Sequence, residues 1–331
     1  MPSKEIDIHF ASVGGAYVDF SVLDLSPWGI QGGLIEKSDT EDFIRSISMR
    51  GHADKTWETV KNVSQGIECG SGLHEDYKEM NLLWPIDLNH PPKESDFFEA
   101  VEAIRVVHPS ELYVYSLHEA QYFKGKGIQL GLCFTYFSYG WSKYQEHRKH
   151  YFDYPEGSLE ETNKFLAFYK KNYGKRDYIT NAINYYSDSF RTNSLEMAFV
   201  CLCICLETIV PGREQLSFRF RRNLAVLCSE SLEEGKCIFK KAKRLYEHRS
   251  KLVHSGMNNK DFEKFGLFFE YAQVLASRMI VEMLLHDMSK IEDLDKKITE
   301  LGFGQRGEIS QDYKEFKGNG LTWYKVSKYE F

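Results

Sequence analysis

An arginine and a histidine close together near a helix end can do phosphodiester chemistry. This chain carries Arg249 and His254 in the string Leu245-Tyr246-Glu247-His248-Arg249-Ser250-Lys251-Leu252-Val253-His254-Ser255-Gly256. Arginine is a permanent cation that can fork two donors onto a phosphate. Histidine takes and gives protons near neutrality. On an ideal helix the two positions stand about 140° apart, while Ser250 and His254 are only about 40° apart and share a face. A long arginine side chain can close the remaining gap. The chain has 14 arginines and 11 histidines in 331 residues. Chance alone would put about half a pair at any one offset, so context must carry the weight.

That context begins with the helix. Ser231-Leu232-Glu233-Glu234 is a capping box that starts it. Ser255-Gly256 ends it. Leu252 and Val253 are expected on its core side. Further helices are expected from the box Ser158-Leu159-Glu160-Glu161 to about Tyr173, and from Asp177 to Phe190. Others follow from an Asn193 or Ser194 cap to Val210, stopped by Pro211-Gly212, and from Gln215 to Cys228. Asp261 would cap a long helix to Met288, followed by a shorter one to Leu301.

The N-terminal part reads differently. Short β-leaning stretches cover residues 5–10, 16–24 and 33–37, and strands are expected over 112–116 and 128–138. Helices are expected over 38–49 and 95–107. Leu83-Trp84-Pro85-Ile86 and His90-Pro91-Pro92 read as loops. The expected fold class is α+β: a mixed α/β domain over 1–150, an all-α bundle over 151–301, and an extension over 302–331.

The net charge of −6 argues against a general nucleic-acid binder, but the charge is uneven. Residues 213–256 hold eleven Lys and Arg against five Glu, which leaves the rest of the chain at −12. A basic segment inside an acidic chain fits a focused phosphate site. The most apolar stretch, 197–210, contains Glu207 and is too short to span a membrane. The opening Met-Pro-Ser-Lys-Glu-Ile-Asp lacks the order of a secretory signal. Seven cysteines without framework spacing fit reduced thiols in a cytoplasm.

Arg249, Ser250 and His254, with Tyr246 before them, resemble the motif of the HEPN superfamily, whose Arg and His lie at the end of a bundle helix. The flanks look like HEPN domains of bacterial antiphage proteins. The resemblance covers about residues 155–300; many members carry Asn or Asp where this chain has Ser250. It implies a metal-independent endoribonuclease with no cofactor, acting as a homodimer whose two motifs form one cleft. In that picture His254 is the general acid or base. Arg249 stabilises charge on the phosphate, and Ser250 orients one or the other. The product would carry a 2′,3′-cyclic phosphate. RNA contacts are expected from Arg221, Arg222, Lys243, Arg244 and Lys251, with Glu207 and Tyr246 in support. A toxin-like defence role is implied, with a protein or phage-derived trigger at the N-terminal domain. The alternative is an inactive HEPN module for dimerisation or partner binding.

Other features read as structural. Glu207 either pairs with Arg222 or Arg249 or faces solvent. Cys201, Cys203 and Cys205 read as small core residues. His147 and His150 lack further zinc ligands nearby. Gly14-Gly15 and Gly125-Lys126-Gly127 read as turns. The aromatic group Tyr136, Phe137, Tyr139, Trp141 and Tyr144 reads as junction packing.

Overall fold

The structure, a computed structural model, describes residues 5–16, 18–36, 79–110, 112–123, 127–136, 159–192, 194–212, 214–255 and 262–309. Strands β1 (Glu5–Gly14), β2 (Ile30–Glu36) and β3 (Glu79–Pro85) precede helix α1 (Glu94–Val107). Then come β4 (Tyr113–Phe123) and β5 (Gly127–Tyr136). Among the described residues, seven helices follow: α2 (Leu159–Asn172), α3 (Asp177–Arg191), α4 (Leu195–Glu207), α5 (Leu216–Cys228), α6 (Leu232–Ser255), α7 (Phe262–Leu284) and α8 (Ile291–Glu300). The class is α+β. Among the described residues, no helix is long and apolar enough to cross a membrane.

Two compact units form. The first contains the sheet and residues 94–103; the second contains 104–109 and α2–α8. In the first, the strand order is β2-β3-β1-β4-β5, antiparallel throughout. Alternation along central β1 puts Ile8 and Phe10 on one face, both buried. The β1–β4 register shifts between Ser12 and Val13, and beyond the shift Val13 is buried too. Trp28, also buried, donates from Nε1 to Glu99 at 2.9 Å.

Two expectations for this unit are corrected. Leu83–Pro85 is not loop: it is the end of β3, with Leu83 opposite Ala11 on one side and Gly32 on the other. Pro85 ends the strand and pairs with Ile30, the position where a missing N–H does least harm. Residues 18–24 are not strand either. Asp19 accepts from Ser21 N at 2.8 Å and Leu34 N at 2.8 Å, and this tightens Phe20–Val22 into a 3-10 turn over β2. Gly32 admits the turn, because a Cβ there would lie 2.9 Å from Phe20 Cβ. The helix expected over 38–49, the cap at Ser158, His147, His150 and Tyr139 to Tyr144 lie outside the described residues, as do Phe137 and residues 124–126.

In the second unit the helix ends are held by specific hydrogen bonds, some local and some from distant residues. Ser194 accepts from Met197 N at 3.3 Å and opens α4. That helix stops at Glu207, short of Val210, as Thr208 donates its hydroxyl back to Cys205 O at 2.6 Å. At α6, Ser231 accepts from Glu234 N at 3.1 Å, while the Glu234 carboxylate takes Glu230 N at 2.7 Å. The box therefore closes one residue further back than the usual pattern. Arg176 takes the carbonyls of Leu284 and His286, capping α7. Tyr186 and Ser277 likewise donate to the Arg105 and Val106 carbonyls in the last turn of α1.

The core of this unit sits among α3, α4, α5 and α7, with Tyr186, Phe199, Leu202, Leu206, Leu224 and Tyr271 fully buried. Helix α6 lies against α5 and α4 through Ile238, Ala242 and Leu245. Residues 302–309 dock through Arg306, which reaches Glu282 and Glu230.

Candidate functional site

The last turns of α6 are placed by contacts on two sides. On one side the ring of His248 lies 4.0 Å from that of Phe268 on α7, centroid to centroid. On the other, half-buried Tyr246 lies 5.8 Å from buried Phe220 of α5. These aromatic contacts fix the rotation of α6 about its axis, and with it the direction of Arg249.

Arg249 turns towards α4. Its Nε stands 3.7 Å from Oε1 of Glu207, with the side chains 31% and 21% exposed. This resolves the open reading of Glu207: it faces Arg249, not Arg222. The Arg249 Nε atom is buried and, among the described residues, has no hydrogen-bond partner at ordinary distance, so the pairing is ionic. Burial pushes the Glu207 carboxyl above its ordinary value, and the nearby guanidinium opposes that shift. Cys203, one turn earlier on α4, is fully buried. Its thiol is pushed well up by burial, raised further by Glu207 and lowered by Arg249. The guanidinium thus has one carboxylate beside it, with the buried Cys203 thiol one turn earlier on the same helix as that carboxylate.

Ser250 is half-buried, and Lys251 is exposed. His254 belongs to the last helical turn, and its imidazole lies outside the described residues. Val253 departs from expectation: it is 53% exposed, while Leu252 is half-buried. The buried stripe of α6 is centred on Ala242 and Leu245. Eight residues beyond Leu245, Val253 has rotated about 80° out of that stripe, whereas Leu252 is about 20° from it.

The basic segment divides into two groups. The arginines of α5 serve the bundle. Arg219 pairs with Asp295 at 2.7 Å. Arg222 donates to the carbonyls of Ile298, Thr299 and Leu301 at 3.0, 3.1 and 3.0 Å, where a cation suits a helix C-terminus. Arg221 donates to Phe239 O at 3.2 Å and lies 3.9 Å over its ring. Four lysines of α6 (Lys236, Lys240, Lys243 and Lys251) instead face outward, while Lys241 is buried with its Nζ 5.3 Å over the Tyr271 ring. Lys243 meets an exposed Glu247 at 3.6 Å, a weak pair. Arg244 is half-buried.

Sequence reasoning gives no site role to Cys203 or His248. Cys203 is visible four residues before Glu207, on the same helix face. His248 is visible as an aromatic neighbour of Arg249, but its partner Phe268 is distant in sequence. Among the described residues, no cluster of three or more His, Cys, Asp or Glu is arranged to hold a metal. Comparison with protein-family models, curated proteins and solved structures finds no match for this chain.

Proposed function

We propose that this chain is a metal-independent endoribonuclease of HEPN type, active as a cytoplasmic homodimer and used as a toxin-like defence effector. One observation carries the reading: Arg249 is oriented by a dedicated carboxylate, Glu207, at the end of a helix that continues through position 254. A cation that only capped a helix C-terminus would turn to the last carbonyls of its own helix. Arg249 instead faces a neighbouring helix, on a surface a third open to solvent.

In the proposed reaction His254 takes the proton from an RNA 2′-hydroxyl or returns one to the leaving 5′-oxygen. Arg249 stabilises the charge that builds on the phosphate as the 2′-oxygen attacks. Ser250 orients the histidine or the phosphate. The RNA supplies its own nucleophile, so one product ends in a 2′,3′-cyclic phosphate and the other begins with a 5′-hydroxyl. Two copies of the motif, one from each subunit, form the cleft.

The test is total RNA incubated with the purified chain in EDTA. Cleavage that persists with chelator, leaves cyclic phosphate ends, and ends in His254→Ala and Arg249→Ala supports the nuclease. A second reading, an inactive module of the same type, is favoured by the charge that Glu207 sets against Arg249. It predicts dimers and no cleavage under any condition.

A further inference from the structure

Half of the Phe218 side chain is exposed, an unusual position for a phenylalanine on a helix of a packed bundle. It stands on α5 with its ring 6.1 Å from that of Phe239 on α6, edge against face at 79°. Phe239 is itself backed by Phe303 at 5.9 Å and covered by the Arg221 guanidinium at 3.9 Å. Phe218 is thus a solvent-facing ring on a rigid aromatic and cationic base. On α6, three residues before and one residue after Phe239, stand Lys236 and Lys240, both exposed. They stand about 60° and 100° round α6 from Phe239. From Phe239 the same helix rises about 22 Å to position 254, which stands about 60° round α6 in line with Lys236, while Arg249, about 15 Å along, stands about 80° round on the other side.

We propose that this surface binds single-stranded RNA, with one base stacked on Phe218 and the adjoining phosphates held by Lys236 and Lys240. The proposal rests on the ribonuclease reading and names its substrate class: an unpaired strand that lies along α6 and reaches the cleft at its end. A ring and cations side by side match the two surfaces of a single strand, its base faces and its phosphates. A duplex cannot use the ring, because its base faces are covered by their neighbours. The charge of the face agrees. Its exposed lysines (Lys236, Lys240, Lys243, Lys251) outnumber its exposed glutamates (Glu233, Glu247). Arg221 serves as support, since its guanidinium is already engaged by Phe239.

The test uses the full chain with His254→Ala as background, so that RNA binds without being cut. Fluorescence anisotropy follows a short labelled RNA without self-complementarity, alone and annealed to its complement. Phe218→Ala is expected to weaken single-strand binding about tenfold and to leave duplex binding unchanged. Phe218→Trp, which keeps a stacking face, is expected to retain it. Lys236→Ala with Lys240→Ala should reduce the salt dependence by about 1.4, at about 0.7 for each phosphate that the chain no longer neutralises. Single-strand affinity unchanged in Phe218→Ala overturns the proposal, as does equal weakening in the alanine and tryptophan variants. Loss of a protein partner with RNA affinity intact would assign the face to protein docking and overturn it too. If the parent chain cuts RNA while Phe218→Ala binds normally, only this inference fails. If the parent neither binds nor cuts RNA, the ribonuclease reading fails with it.

Discussion

The Glu207 carboxylate stands 3.7 Å from Nε of Arg249, between the end of α4 and the last turns of α6. Both groups are less than a third exposed, so water screens them only in part. The pair therefore holds the guanidinium in direction as well as in charge. Glu207→Gln keeps the shape and removes the charge. We expect the fold to persist with a loss of about 1 kcal/mol, and RNA cleavage to fall about tenfold in kcat with little change in KM. Steady-state kinetics on a defined RNA, with urea melts of the same samples, measures both. A fall in KM with kcat untouched would mean that Glu207 only competes with phosphate for Arg249.

Histidines buried in the second unit make its stability depend on acid. His108 lies 3.0 Å from Thr162 Oγ1, and burial pushes its pKa down to about 3. His286 accepts at Nδ1 from Met288 N at 3.2 Å; burial, then Arg176, lowers its pKa to about 3. Both rings are neutral in the folded chain. An unfolded histidine titrates near 6.5. Between about pH 6.5 and 3 the unfolded chain binds protons that the folded chain refuses. The stability is fully present above 6.5 and is lost as pH falls, by up to about 1.4 kcal/mol per pH unit for each ring. Urea midpoints near pH 7.5 and pH 5 should show the loss, and His108→Gln should reduce it. An unchanged loss in that variant would rule His108 out as its source.

Much of the bundle was legible in the sequence because its signals are local. Ser194, Ser231 and Glu234 cap the helices they were expected to open. Glu207 announced itself as a carboxylate in an apolar helix. What was not legible depends on partners far along the chain. Trp84-Pro85 looks like a loop until β3 is seen paired on both sides. Val253 looks like core until the rotation of α6 is set by Phe268 and Phe220. The arginines of α5 looked like one basic patch. Carbonyls of α8, and Asp295, turn Arg219 and Arg222 into bundle supports. No window of sequence shows those distances.

Gly235 tests packing against propensity. It lies inside α6, where alanine would ordinarily be favoured by up to about 1 kcal/mol. A Cβ there, however, would lie only 2.3 Å from Phe303 Cβ and 2.6 Å from its Cγ. The glycine admits Phe303 to the side of Phe239. Gly235→Ala is therefore expected to destabilise by about 1–3 kcal/mol. With Phe303→Ala in the background the same substitution should become neutral or favourable. A double-mutant cycle by urea unfolding reads the coupling. Additive effects would mean that Phe303 moves aside freely.

The cluster that docks residues 302–309 has its own energetic signature. Arg306 reaches both Glu282 and Glu230, and Arg278 reaches the same two carboxylates at 3.2 and 3.1 Å. Arg278, Arg306 and Glu282 are at most 7% exposed, whereas Glu230 is 46% exposed. Removing one buried member leaves its partners charged and dry. Arg306→Ala should therefore cost about 3–5 kcal/mol, a large part of the 5–15 kcal/mol typical of a folded domain. Glu230→Gln, whose partner charge can be replaced by water, should cost about 1 kcal/mol or less. The two guanidiniums and Glu282 together repay mainly their own desolvation. Arg278→Met, Glu282→Leu and Arg306→Met combined should thus be more stable than Arg306→Ala alone. Urea unfolding of the three variants decides the matter: a triple variant weaker than the single one would show that the ion pairs hold the bundle by net attraction.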